Sequence, residues 1–220
     1  SLVGSEMCIR DRYKLPIGCD VPETIILADG DFPSHPLALE WLRQCPYVVC
    51  CDGAANTYIR SGRMPEAIVG DGDSLLPDIK ERYASLIHSE AEQETNDLSK
   101  AFRFCLSQER KRITIMGATG KREDHTIGNV SLLADYMEQA EVSMMTDYGI
   151  FVPIREDSMF ESYIGQQISV FNMNSTALSA EGLAYPLSVF TNWWQGTLNE
   201  ALARHFIIRT EGKVLVFRVF

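Results

Sequence analysis

The sequence predicts two domains: an α/β domain with a mostly parallel, helix-flanked sheet over 21–147, and an all-β sandwich over 148–220. Three observations predict this. Short apolar runs alternate with helix-period patterns as far as Asp147, the mark of strands joined by crossover helices. Beyond that point the segments shorten and alternate, with no long amphipathic helix. Four of the N-terminal runs end in glycine-bearing loops, three of them with aspartate, at the strand ends where open α/β sheets collect ligands.

Element by element, Ser1–Arg12 (SLVGSEMCIRDR) has no apolar h-region and no periodicity, and it resembles translated library-adapter sequence. Residues 1–20 are therefore read as a non-native or disordered leader, with the globular part starting near Val21. Thr24–Ala28 reads as a strand, followed by Asp29-Gly30-Asp31. Leu37, Leu39, Trp41 and Leu42 mark a helix, Tyr47–Cys51 a strand, and Asp52-Gly53-Ala54-Ala55-Asn56 the opening of a second helix. Ala67-Ile68-Val69 is a buried strand. Leu98, Ala101, Phe102, Cys105 and Leu106 follow the spacing of a helix face. Ile113–Met116 is a strand, Thr126–Gln139 a helix with Ile127, Val130, Leu133, Ala134 and Met137 on one face, and Val142–Thr146 a further strand. Gly149–Ile154, Gln167–Asn172, His205–Arg209 and Val214–Phe220 are the strands of the second domain, the last two joined as a hairpin through Thr210-Glu211-Gly212-Lys213.

Composition narrows the function. The 220 residues carry 30 Asp plus Glu against 20 Lys plus Arg, a net charge of -10, which argues against a nucleic-acid partner. No run approaches the length of a membrane span. The six cysteines form no C-x-x-C pair, and adjacent Cys50-Cys51 read as strand packing. Together they suggest reduced thiols in a cytoplasmic protein.

The chemistry centres on Gly70-Asp71-Gly72-Asp73-Ser74. In extended backbone, residues two apart point the same way, so Asp71 and Asp73 can meet one hard cation. Mg²⁺ favours one or two carboxylates completed by phosphate oxygens and water. Asp97, at the start of a helix capped by Thr95 or Asn96, is a third candidate ligand, and Lys100 lies three residues on, within reach of a phosphate. Gly117-Ala118-Thr119-Gly120-Lys121-Arg122 carries two cations into a helix start, an anion cradle that matches neither the Walker A nor the G-x-G-x-x-G pattern. His125 follows, next to Asp124.

In order, Asp52-Gly53-Ala54-Ala55-Asn56, Gly70–Ser74, Asn96-Asp97-Leu98-Ser99-Lys100-Ala101 and Gly120-Lys121-Arg122-Glu123-Asp124-His125 resemble the thiamine pyrophosphokinase family. Gly182-Leu183-Ala184-Tyr185-Pro186-Leu187 and Gly196-Thr197-Leu198-Asn199 extend the resemblance into the second domain. The resemblance implies Mg²⁺-dependent transfer of pyrophosphate from ATP to the hydroxyl of thiamine, giving thiamine diphosphate and AMP. It also implies a homodimer in which the second domain serves thiamine binding and dimerisation. Carried over, Asp71, Asp73 and Asp97 hold Mg²⁺, and these three with Asp124 form the catalytic set. Asp52, Gly53, Asn56, Lys100, Gly117, Thr119, Gly120, Lys121 and Arg122 line the ATP and phosphate region. Thr197 and Asn199 face thiamine or nucleotide from a partner subunit, and Trp193 or Trp194 stacks on the thiazolium, a contact of about 1–2 kcal/mol. The chain departs from the family at Asn96, where Thr is frequent, at Lys121, where a second glycine is common, and at Leu198, where serine is common. Three rivals are a haloacid-dehalogenase-type phosphatase with Asp71 as nucleophile, a non-catalytic nucleotide-binding protein, and a pyrophosphokinase for another alcohol such as a pterin.

Overall fold

The computed structural model describes residues 9, 11–16, 20–89 and 94–220. The chain forms two compact units, one of Ile17–Asp147 and one of Ser1–Pro16 with Tyr148–Phe220. Most of the predicted leader before Asp11, and the thiols of Cys8 and Cys19, lie outside the described residues.

A short strand β1 (Asp11–Tyr13) belongs to the second unit. The first unit runs β2 (Thr24–Leu27), α1 (Pro36–Gln44), β3 (Val48–Cys51), α2 (Ala54–Arg60), β4 (Ala67–Gly70), α3 (Pro77–Arg82), β5 (Ile87–Ser89), α4 (Asp97–Ser107), β6 (Arg112–Met116), α5 (Glu123–Tyr136) and β7 (Glu141–Met145). Its strands lie in the order β7-β6-β2-β3-β4-β5, each paired in parallel with its neighbour. In register, Ile26 sits between Val49 and Ile115. Every residue of β2, β3 and β4 is buried, which is why these strands read as unbroken apolar runs rather than as alternation. Leu98, Ala101, Phe102 and Cys105 form the buried face of α4, and Phe102 stacks on Tyr136 of α5 with ring centroids 3.9 Å apart.

In the first unit α3 and β5 escape the sequence reading, as do β9 (Ser158–Glu161), β11 (Leu178–Glu181) and β12 (Asn199–Glu200) in the second. α3 buries only Ile79 among six mostly charged or proline residues, so it carries no apolar period; Pro77 at its first turn is the local signal. α5 begins at Glu123, three residues before the expected Thr126. Its first turn holds Glu123 and Asp124, which the helix dipole favours and apolar periodicity overlooks. Ile127, assigned to the packed face, is 57% exposed.

The second unit runs β8 (Gly149–Ile154), β9 (Ser158–Glu161), β10 (Gln167–Asn172), β11 (Leu178–Glu181), β12 (Asn199–Glu200), β13 (His205–Thr210) and β14 (Val214–Val219). One group of strands, all antiparallel, is ordered β12-β10-β14-β8; the other is β1-β9-β13-β11, antiparallel except for the parallel β1–β9 pair. β13 and β14 do not form the expected hairpin. β13 pairs with β9 and β11 while β14 pairs with β8 and β10, so Glu211–Lys213 passes the chain from one sheet to the other, with Gly212 at φ 123°. The turn residues signal a reversal of direction, but the strands' partners decide whether it closes a hairpin.

Asp11–Tyr13 also departs from the sequence reading, which placed it in a leader outside the fold. It pairs in parallel with β9, Tyr13 stacks on Phe160 with centroids 4.7 Å apart, and the Leu15 N–H donates to the Glu161 carboxylate. Ile9 packs with Met159 and Ile207. A three-residue edge strand is too short to display a period, so pattern reading passes over it.

Candidate active site

A cavity of about 630 Å³ opens at the carboxyl ends of β2, β3, β4 and β6, bordered by the starts of α4 and α5. The loops after β2 and β6 are zipped together by backbone hydrogen bonds from Gly30 to Gly117 O (2.6 Å) and from Asp31 to Thr119 O (2.9 Å). Gly30 has no room for a side chain, since a Cβ there would lie 2.3 Å from Thr119 O. Lys121, at φ 55°, turns back to donate to the Asp29 carbonyl (2.7 Å) and carboxylate (3.2 Å). Asp29, Gly30, Gly120, Lys121 and Arg122 therefore share one wall.

The β4 loop forms another wall. Asp71 lines the cavity; Asp73 does not, and its N–H donates to Asp71 Oδ1 (3.1 Å). Asp52 and Asn56, expected at the nucleotide, are absent from the lining and instead hold this loop in shape. Asp52 Oδ2 accepts from Ser74 N (2.9 Å), while the Asn56 amide donates to Ser74 O (2.8 Å) and accepts from Leu76 N (3.0 Å). Lys80, absent from the sequence reading because α3 was, donates to Gly72 O (3.0 Å).

Among the acidic groups around the cavity, Asp52 has a raised pKa. It is 3% exposed, sits at φ 28°, and its Oδ1 has no hydrogen-bond partner. Burial, then the fields of Asp97 and Asp71, raise its carboxyl above the usual range. A Cβ on Gly70 would come within 3.3 Å of Asp52 Cγ and 3.4 Å of Asp97 Cγ, so the two carboxyl groups flank one point. Lys100, almost wholly buried, donates to Asp97 Oδ1 (3.1 Å).

At the start of α5, Arg122 grips Asp124 through two hydrogen bonds, at 3.1 and 2.5 Å. That pairing, first through the hydrogen bond itself, lowers the Asp124 carboxyl below its ordinary value. Asp124 does not line the cavity; its neighbour His125 does, as do Thr95, Asn96 and Asn129. The sequence placed Thr95, Asn96 and His125 beside the site without including them in it, and passed over Asn129. Asn129 carried no signal of its own, because one turn of a polar helix start looks like another. Gly53, Gly117 and Thr119 act through backbone: a Cβ on Gly53 would lie 2.6 Å from Asp29 Oδ2, and the carbonyls of Gly117 and Thr119 hold the β2 loop.

The four residues expected at thiamine lie in the other unit and are not among the lining residues. Trp193 and Trp194 sit in a 3-10 turn, Trp193 edge-on to Phe171 and Trp194 73% exposed. Thr197 Oγ1 donates to Trp194 O. Asn199 is buried and pins the Tyr185 turn: its Oδ1 accepts from Tyr185 N (3.0 Å) and Glu200 N (2.9 Å), and its Nδ2 donates to Tyr185 O (2.8 Å).

A divalent ion fits the donor set. Among the described residues, no three Asp, Glu, His or Cys gather closely enough to hold an ion by themselves. Mg²⁺ does not need three, since one or two carboxylates suffice beside phosphate oxygens and water. Asp71 and Asp97 share the cavity, and a nearby cation would offset the negative charge of Asp52, whose buried Oδ1 has no hydrogen-bond partner.

Residues 38–145 match the family described as "Thiamin pyrophosphokinase, catalytic domain", and residues 149–217 match "Thiamin pyrophosphokinase, substrate-binding domain". Thiamine pyrophosphokinase 1 of Oryza sativa subsp. japonica is 30% identical over 129 residues, covering 47% of this chain and 49% of that protein. Thiamine pyrophosphokinase of Bacillus subtilis (strain 168) is 34% identical over 86 residues, covering 37% and 40%. The chain spans about half the length of the curated relatives it matches first. In fold it is similar to thiamin pyrophosphokinase from Candida albicans, with TM-score 0.78 and 18% identity over 96% of this chain and 93% of that one. It is also similar to the Bacillus subtilis thiamine pyrophosphokinase structure, with TM-score 0.75 and 20% identity over 89% and 98%.

Proposed function

This chain belongs to the thiamin pyrophosphokinase family, and on that premise we propose that it transfers a pyrophosphoryl group from ATP to the hydroxyl of thiamine, giving thiamine diphosphate and AMP. The observation that carries the reading is the cavity itself, where the carboxylates of Asp71 and Asp97 meet the cations Lys100, Lys121 and Arg122 between the ends of β2, β3, β4 and β6 and two helix starts. Transfer of a phosphoryl-type group needs positioning and charge neutralisation more than covalent help. Asp71 and Asp97 would hold Mg²⁺, its shell completed by phosphate oxygens and water, while Asp73, expected as a third ligand, stands outside the cavity lining. When bound, the ion supplies charge neutralisation along the polyphosphate.

The chain's own residues do the rest. Gly30 and Gly120 let the loops after β2 and β6 close against each other, since a Cβ on Gly30 would meet Thr119 O and one on Gly120 the Asp31 carboxylate, and the first turn of α5 presents its N–H groups. Lys121 and Arg122 sit at that turn, each already leaning on a carboxylate, Asp29 or Asp124, that a phosphate would replace. Lys100 fixes the direction of the Asp97 carboxylate. Asp124, lowered by Arg122, is a weak proton acceptor while that pair holds.

The reading extends to a cytoplasmic homodimer with a sandwich-type second domain that contributes to thiamine binding. Arg218 of β14 donates to the carbonyl of Glu161 on β9, a reach between the sheets that supports the sandwich. Exposed Ile164, Tyr185, Trp194 and Leu198 on the second unit support an interface. Unpaired Cys45, Cys50, Cys51 and Cys105 support a reducing compartment, and among the described residues no helix is long and apolar enough to cross a membrane.

The test is to incubate the protein with ATP, Mg²⁺ and thiamine and resolve the products. AMP and thiamine diphosphate in equal amounts are expected. ADP with thiamine monophosphate, or a phosphoenzyme on Asp71 with free phosphate, would overturn the reading.

A further inference from the structure

Two helix starts border the cavity, and they are tied to each other by a chain of side-chain amides. Asn96 caps α4, its Oδ1 accepting from Ser99 N at 2.9 Å. Its Nδ2 is thereby directed outward and donates to Asn129 Oδ1 at 3.2 Å. Asn129 stands on the second turn of α5, and its Nδ2 donates to the carbonyl of Ala118 at 2.8 Å. The orientation of each amide follows from its neighbour, because flipping either one sets donor against donor or acceptor against acceptor. The chain runs without a break from Ser99 N–H through both amides to Ala118 O.

Its two ends carry the two kinds of charge in the site. Asn96 is followed directly by Asp97, and Ala118 lies in the loop that carries Gly120, Lys121 and Arg122. Both asparagines line the cavity. α4 and the loop before α5 have no backbone hydrogen bond to each other among those of the described residues, whereas the loop is zipped to the β2 strand end through Gly30 and Asp31. The amide pair therefore supplies a direct polar tie between the carboxylate helix and the cation loop.

We propose that Asn129 is a positioning residue that, through Asn96 on one side and Ala118 O on the other, fixes the spacing between Asp97 and the Lys121–Arg122 loop along a bound triphosphate. This deepens the reading given above and rests on it. Small displacements are costly in such a site, since a misplacement of about 1 Å can cost on the order of 10²-fold in rate. The proposal also gives Asn at position 96 a task that threonine cannot share: a hydroxyl at that position can cap the helix, but it is too short to reach the second amide.

Two variants separate capping from bridging. Asn96→Ser keeps a side-chain acceptor for the α4 cap and loses the bridge, and Asn129→Ala loses both bonds of the middle amide. ATP affinity in the presence of Mg²⁺ is measured by calorimetry, independently of turnover, and kcat and the KM for thiamine are measured alongside it. Asn96→Ser is expected to weaken ATP binding about fivefold with an unchanged melting temperature. Asn129→Ala should weaken it about tenfold and lower kcat while leaving the KM for thiamine alone. The double variant should be no worse than Asn129→Ala, because both changes cut one chain. ATP affinity within twofold of wild type in Asn96→Ser, or additive losses in the double variant, would overturn the proposal. Failure of wild-type protein to form AMP would overturn the reaction assigned above, while the ATP affinities would still decide the role of Asn129.

Discussion

Asp52 in the first unit and Arg218 in the second are both nearly inaccessible, at 3% and 2% exposure, and each leaves one polar atom without a hydrogen bond, Oδ1 and Nε respectively. Their surroundings differ in kind. Arg218 donates to the carbonyls of Glu161 and Lys14, both at 3.0 Å, and lies 5.1 Å from the centre of the Phe160 ring. Burial brings its pKa down to about 10, which still leaves it charged at neutral pH. Its neighbours are dipoles and a π face, all oriented to accept a cation. Asp52 has only Ser74, through its backbone N–H and its hydroxyl, against two further carboxylates, and its pKa moves against the charged form. A buried charge surrounded by its complement is a structural pin; one surrounded by its own sign is a place prepared for something absent from the chain.

Four substitutions break or sharpen that contrast. The largest effect belongs to the acidic cluster: Asp71→Asn should lower the rate of AMP formation by about 10²-fold or more while leaving the fold intact. Asp73→Asn, whose carboxylate is outside the cavity lining, ranks the two, and near-normal turnover in both removes the metal assignment. Arg218→Met should do the reverse. It strips two buried carbonyls of their donor, so urea unfolding should show a loss of about 2–4 kcal/mol. Turnover per folded molecule should not change, and a variant as stable as wild type would show that Arg218 pins nothing.

The smallest effect is one of sign. The folded-state pKa of Asp52 is raised, so its contribution to stability is fully present below the unfolded carboxylate value, about 3.9, and is lost as pH rises through the folded value. In chelator-treated protein, stability should therefore fall across that window in wild type, and less so in Asp52→Asn. Titration curves of thermal midpoint that run parallel in the two proteins would place the like-charge strain elsewhere.

Legibility followed the range of the interactions. β2, β3, β4 and β6 were visible because strands buried on both faces announce themselves as apolar runs. Asp71, Asp97, Lys100, Lys121 and Arg122 were visible because strand ends and helix starts in this fold converge on one edge. Asp52 and Asn56 were placed in the right neighbourhood, but their work, holding Ser74 and Leu76, depends on a contact across about twenty residues that no local pattern encodes. Lys80 was missed with α3, and Asn129 with the tie it makes to Asn96, 33 positions away. Asp11–Tyr13 was set aside because its partner β9 lies almost 150 residues on.

What the sequence determined by itself was the alternation of strands and helices, the glycine-marked strand ends and the sign of the charge delivered to each, since these depend on residues near one another in the chain. What only the tertiary structure decided was which of those charges face a common space and which are turned to holding it open: Asp71 inward and Asp73 aside, His125 inward and Asp124 paired with Arg122. The physical reason is that a side chain's role is set by the partner it finds, and the partners here come from distant elements that the sheet brings side by side.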